Sequence, residues 1–162
     1  MAGSDESDND LPDEWQPDDT FHDIVDGEYK GVRRVKAVWE KYRNNLTGRI
    51  FHSREPLIKE MVEELQRDTL PTGFKQWQLP IVLGLNGDPV LGFITVGEPN
   101  AKIPRHRHEK DSLFRIVISG SVFFGDVELT AGDWMFVPKG KAYSLTAGPL
   151  GCVSNHYYNG LY

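Results

Sequence analysis

The chain has one cysteine, Cys152, in 162 residues. That excludes an internal disulfide framework and the stapled, loop-rich folds that depend on one. It has no run of about eighteen apolar residues, and its start lacks the charged-then-apolar pattern of a secretory signal. A reducing, cytoplasmic setting with no membrane partner is the expectation. Basic residues are missing from positions 1 to 20, which hold eight acidic side chains, so the net charge of −6 leaves +2 for the remainder. A segment so acidic and so poor in apolar residues cannot offset the entropy of ordering it, and residues 1–20 are expected to form a disordered tail. Nothing here resembles a basic recognition helix, so no nucleic-acid partner is expected either.

What is present fits one domain, since a chain of this length buries roughly two-thirds of its unfolded surface in a single core. Leu57, Ile58, Met61, Val62 and Leu65 fall on one helical face, with Ser53 as the expected cap and Pro56 in the first turn. Val35, Val38, Trp39 and Tyr42 suggest a second helix. Residues 21–75 are therefore read as a helical segment packed on the C-terminal half of the chain. After Gly73 the period changes to two, with strands expected over 80–85, 90–96, 112–119, 122–129, 134–137, 142–146 and 152–158. Many short strands with short connections imply a sandwich or barrel, assigned to residues 76–162.

Two stretches carry chemistry. In Pro104-Arg105-His106-Arg107-His108 the histidines sit at alternate positions. Alternate side chains of a strand share one face about 7 Å apart along the backbone, and two imidazoles so placed can chelate a metal. The second stretch, Gly132 to Gly140, is a glycine turn, a short apolar strand and then Pro138, where a ladder N–H is no longer needed. With Gly120 between them, these stretches resemble the paired motifs of the cupin superfamily. His106, His108 and Gly120 match the first motif; Gly132, Pro138 and Gly140 match the second. The resemblance covers about residues 78 to 158. It implies a mainly β fold, a cupin-type double-stranded β-helix or jelly-roll barrel, with one or two N-terminal helices packed outside.

The same resemblance implies a metal held by three histidines and a glutamate, and here the chain departs from it. Leu113 stands at the glutamate position, Tyr143 at the third histidine position and Ala147 at the asparagine position. Metals normally take at least three protein donors, so two histidines alone make a weak site. Tyr143 can supply a phenolate or line the pocket as a neutral phenol. Glu109 and Asp111 offer oxygens after His108, and His156 on the last strand completes three imidazoles if it faces inward. Arg115 shares a face with Leu113. If that face is interior, its guanidinium needs an internal carboxylate or an anionic substrate; a one-residue shift of register puts it outside. Leu113, Trp134, Phe136 and Tyr143 are the expected lining of the substrate pocket.

Resemblance to cupins implies first a small-molecule enzyme with a divalent metal on His106, His108 and His156. With iron this would be a dioxygenase acting on a small anionic, diketone-like or phenolic substrate, with manganese, nickel or zinc as other metals. Tyr143 and Arg115 are the expected catalytic groups. The alternatives are a non-oxidative isomerase, cyclase, lyase or decarboxylase working by histidine and tyrosine acid-base chemistry, and a metal-free metabolite-binding module. Unprotected barrel edges, together with the apolar segment from Phe21 to Ile50, suggest a homodimer.

Overall fold

Residues 11–85 and 88–159 are described by a computed structural model of the chain. Two short strands come first, β1 (Ile24–Val25) and β2 (Glu28–Tyr29), then the helices α1 (Lys30–Tyr42) and α2 (Pro56–Glu64). The rest is β: β3 (Phe74–Gln78), β4 (Leu83–Leu85), β5 (Asp88–Gly97), β6 (Lys102–His106), β7 (Ser112–Phe124), β8 (Val127–Thr130), β9 (Trp134–Val137) and β10 (Tyr143–Asn159). The antiparallel order is β3-β5-β10-β7-β8, with β4 on β5, β6 on β10 and β9 on β7. The architecture is mainly β, an antiparallel jelly-roll-like barrel with two helices outside it.

β10 organises the barrel, because one half of it lies between β5 and β7 and the other between β6 and β7. Its register breaks between Ala147 and Cys152, where the strand bends. Glycine permits the bend: Gly120 (φ 66°) meets Gly151 (φ 77°) so closely that a Cβ on Gly120 would lie 2.1 Å from the Gly151 carbonyl oxygen. Gly120 therefore bends a strand and does not end one. The strand expected over 112–119 runs on as β7 to Phe124, and those expected over 142–146 and 152–158 are one strand, β10. Residues 86 and 87, between the strands expected over 80–85 and 90–96, lie outside the described residues. β3 was not among the expected strands, and β6 carries His106 of the pair that was read on a strand.

Side-chain alternation fills the interior in three cross-strand rungs. These are Thr95, Ser154 and Val117; then Phe93, His156 and Arg115; then Leu91, Tyr158 and Leu113. All nine are buried. β9 pairs Phe136 with Phe114 and Trp134 with Ile116. Leu113 and Arg115 point inward, so these neighbours point outward: Trp134 is 59% and Phe136 42% exposed, while Val137 is buried. Trp134 and Phe136 are thus on the outer surface, a correction to the expected pocket, and Leu113 is core packing.

The helices build a second apolar cluster from Val35, Val38, Tyr42, Ile58, Met61 and Leu65. α1 docks on the barrel through Val32 and through the Gln78 amide, which donates to Gly31 O at 2.9 Å. Glu55 and not Ser53 occupies the start of α2, and it makes no side-chain cap bond. No helix among the described residues is long and apolar enough to cross a membrane.

Residues 11–20, expected in a free tail, instead form a strap across one end of the barrel; residues 1–10 lie outside the described residues. The amides of Glu14 and Trp15 donate to Arg105 O at 2.8 and 3.2 Å. Arg107 Nε donates to Asp13 at 3.1 Å and Arg105 to Glu14 at 3.2 Å. The strap's acidic residues are thus partners of the basic residues interleaved with the histidines, a pairing between distant parts of the chain that composition does not reveal.

Truncating an inward residue of these rungs should cost far more than truncating an outward one. Leu113→Ala is expected to lose about 2–5 kcal/mol, and Trp134→Ser less than about 1 kcal/mol. Urea unfolding of the two variants checks this, and equal losses would contradict the facing described.

Candidate active site in the barrel

β6, β7 and β10 converge on a cavity of about 30 Å³, room for two or three waters. His106, His108, Tyr143, Tyr158, Arg67 and Arg115 line it, and Trp15 of the strap covers it. The Trp15 ring stands edge-on to His106 at 5.0 Å. His106 and His108 lie 5.1 Å apart, centroid to centroid, and the Tyr143 ring is 4.5 Å from His106.

Local structure fixes the state of each group. His106 Nδ1 lies 2.8 Å from Pro104 O, and since a carbonyl only accepts, Nδ1 carries the proton and Nε2 the lone pair. Burial, reinforced by the neighbouring His108 and Arg115, pushes the His106 pKa down to about 4. Burial also lowers His108, against the opposing pull of Asp19. Burial raises Tyr143, with Arg115 opposing, so it stays a neutral phenol near pH 7.

His156 is fully buried, stacked 5.2 Å from Phe93, and committed elsewhere. Arg67 donates to Gln76 Oε1 at 2.9 Å, which turns the Gln76 amide nitrogen toward Thr95 Oγ1 at 3.0 Å and His156 Nε2 at 3.3 Å. Nε2 is therefore an acceptor, and Nδ1 donates to Thr95 Oγ1 at 3.3 Å. The expected convergence of His106, His108 and His156 on one metal does not form. Leu113 is packed in the core and His156 is bonded to Gln76 and Thr95, so the four positions of the cupin ligand set do not bring four donors together here.

Two cations remain. Arg115 is 4% and Arg67 8% exposed. Arg115 donates to Ser154 Oγ at 2.7 Å, and Arg67 to Gln76, to Asp18 O and, through its face, to the Phe21 and Phe93 rings. The Nε–H of each has no partner, and no carboxylate among the described residues is within ion-pair distance of either. A buried guanidinium in that condition has the chemistry to receive an anion.

Beside the cavity, Asp19, His22 and His108 bring ligand atoms within 4.8 Å of one another, a group with the composition of a metal site. Asp111, expected as a solvated loop charge or an oxygen ligand, is 3% exposed and holds His22 Nδ1 at 2.6 Å and Tyr29 Oη at 2.7 Å. Glu109 stays exposed beside Arg107. Asp19, His22, Arg67 and Tyr158 were missed in the sequence because none lies in a motif; Asp19 was hidden in the acidic tail.

No protein-family model matches the chain, and no curated protein matches it. Among solved structures, similarity is to cupin-like folds. A protein of unknown function with a cupin-like fold from Ralstonia eutropha JMP134 is 18% identical over 54% of this chain and 56% of its own, with a TM-score of 0.44. KdgF from Halomonas sp. is 17% identical over 57% and 84%, with a TM-score of 0.44. An RmlC-like cupin from Shewanella frigidimarina NCIMB 400 is 22% identical over 59% and 94%, with a TM-score of 0.43.

The buried neutral His156 makes stability pH-dependent with a definite sign. Burial and the nearby Arg115 and Arg67 hold its pKa well below 6.5. Below about pH 6.5 the unfolded chain takes up a proton that the folded chain refuses, so stability falls as pH falls. His156→Gln should reduce the pH slope of the unfolding free energy between pH 6.5 and 5 by up to about 1.4 kcal/mol per pH unit. Urea titrations at several pH values check this, and an unchanged slope would mean that His156 is protonated in the fold.

Proposed function

We propose that this protein is a small-molecule cupin-type enzyme that holds a small carboxylate or enolate anion between Arg115 and Arg67 and acts on it by acid-base chemistry. The observation that carries the reading is the pair of buried guanidiniums without a carboxylate partner among the described residues. His106 Nε2 is the base, its lone pair available because Nδ1–H is held by Pro104 O. An anion beside it raises the His106 pKa toward the working range of a general base. Tyr143, neutral and 4.5 Å from His106 ring to ring, is the proton donor. Arg115 stabilises negative charge developing on the substrate oxygen. The cavity's size selects a compact head group while Trp15 covers it.

The iron-type dioxygenase is the second reading. It is favoured by the two imidazoles and one carboxylate of His22, His108 and Asp19, the donor set that non-haem iron oxygenases use. Oxygen consumption that depends on added iron separates it from the acid-base reading.

Calorimetric titration with acetate, oxalate and malonate, in the presence of a chelator, tests anion binding. Carboxylates are expected to bind and acetamide not to. Arg115→Met should weaken carboxylate binding about tenfold or more, the loss of one charge-assisted hydrogen bond, while leaving the fold as stable or more stable. Equal binding of acetate and acetamide, or an unaffected Arg115→Met variant, would overturn the reading.

A further inference from the structure

We propose that Asp19, His22 and His108 form a divalent-metal site assembled between the N-terminal strap and the barrel, using one histidine of the His-x-His pair and not the other. His22 carries the argument. Its side chain is fully buried, and Nδ1 lies 2.6 Å from the Asp111 carboxylate, which only accepts, so Nδ1 holds the proton. Nε2 points inward and has no hydrogen-bond partner among the described residues. Its nearest acidic neighbour, Asp19 Oδ1, is 3.7 Å away. A histidinium paired with that carboxylate would close to about 2.7–2.9 Å. The gap has another natural explanation, since donors about 2.1 Å from one tetrahedral ion stand about 3.4 Å apart. Asp19 Oδ1 is 3.7 Å from His22 Nε2, close to that value, and accepts a hydrogen bond from His108 Nδ1 at 3.2 Å that an ion would replace.

The surroundings complete the site. Ligating imidazoles carry a hydrogen-bond acceptor on the far nitrogen, which fixes the tautomer. Asp111 does this for His22, itself held by the Tyr29 hydroxyl at 2.7 Å. When His108 binds through Nδ1, its proton moves to Nε2, where Tyr158 Oη stands at 3.4 Å. The rings of His22 and His108 are 22° from parallel, 5.9 Å between centroids. Asp19 and Asp111 together carry two negative charges, which balance a buried divalent ion. Two nitrogens and one oxygen suit zinc, iron, cobalt, nickel or manganese and not calcium or magnesium, which prefer all-oxygen sites. Three protein donors leave at least one position open beside the cavity.

The argument for this site does not rest on anion binding by Arg115 and Arg67, and its test reads metal alone. Full-length protein, stripped with chelator and dialysed, is titrated with cobalt(II) and then displaced with zinc(II). One equivalent is expected, with the intense visible bands of low-coordinate cobalt. Asp19→Asn and His22→Ala should each weaken binding at least about 100-fold, more than the 10–100-fold typical of an outer-shell change. Asp111→Asn should fall within that smaller range, and His106→Ala should leave affinity within about threefold. Circular dichroism and the melting temperature establish that each variant is folded; Asp19→Asn, conservative and near the surface, serves if His22→Ala is not. Absence of cobalt binding by the wild type would overturn the proposal. So would binding abolished by His106→Ala and retained in Asp19→Asn, which would move the metal to the His-x-His pair.

Discussion

Keeping charge-capable groups away from water is the constraint on which this structure depends. Four of the five histidines, His22, His106, His108 and His156, are buried, together with Arg67 and Arg115. An apolar barrel interior would have been simpler to stabilise, because every buried polar group without a partner costs about 1–3 kcal/mol. The chain meets this cost unevenly. Gln76 serves Arg67, Thr95 and His156 at once, and Asp111 serves His22 and Tyr29. His22 Nε2, Arg67 Nε and Arg115 Nε are left without partners. The satisfied groups form the scaffold, and the unsatisfied ones are the atoms to which the proposed anion and metal are assigned.

The barrel was legible because its signals are local. Period-two alternation, Gly132 in a turn and Pro138 closing β9 each act within a few residues. Gly120 was visible too, although its role was misjudged. A glycine with positive φ reads as a turn, yet here it answers a backbone approach by Gly151, thirty-one positions away, which no local pattern announces. The facing of β9 was misread for the same reason. Alternation divides Trp134 and Phe136 from Met135 and Val137, but only pairing with β7 decides which set is inside.

The site was half legible. His106 and His108 stand out by spacing, and Arg115 by its distance from Leu113. The acidic strap did not stand out, because Asp13, Glu14, Asp18 and Asp19 look like solvated charge until Arg105, Arg107, Arg67 and His108 are placed opposite them. Composition favoured disorder, whereas specific ion pairs and the packing of Trp15 favour order.

The strap also divides the molecule by stability. Its bonds to β6 join residues 91 to 94 positions apart, so they close only after the barrel has brought Arg105 and Arg107 into place. The ion pairs are partly open to solvent, with Glu14 44% and Arg107 25% exposed at the side chain against 19% for Arg105 and 10% for Asp13. Pairs of that kind weaken as salt shortens the Debye length from about 10 Å at 0.1 M to about 3 Å at 1 M, whereas the interior rungs do not respond to it. Rising ionic strength is therefore expected to loosen the strap's ion pairs before it touches the packing of the barrel.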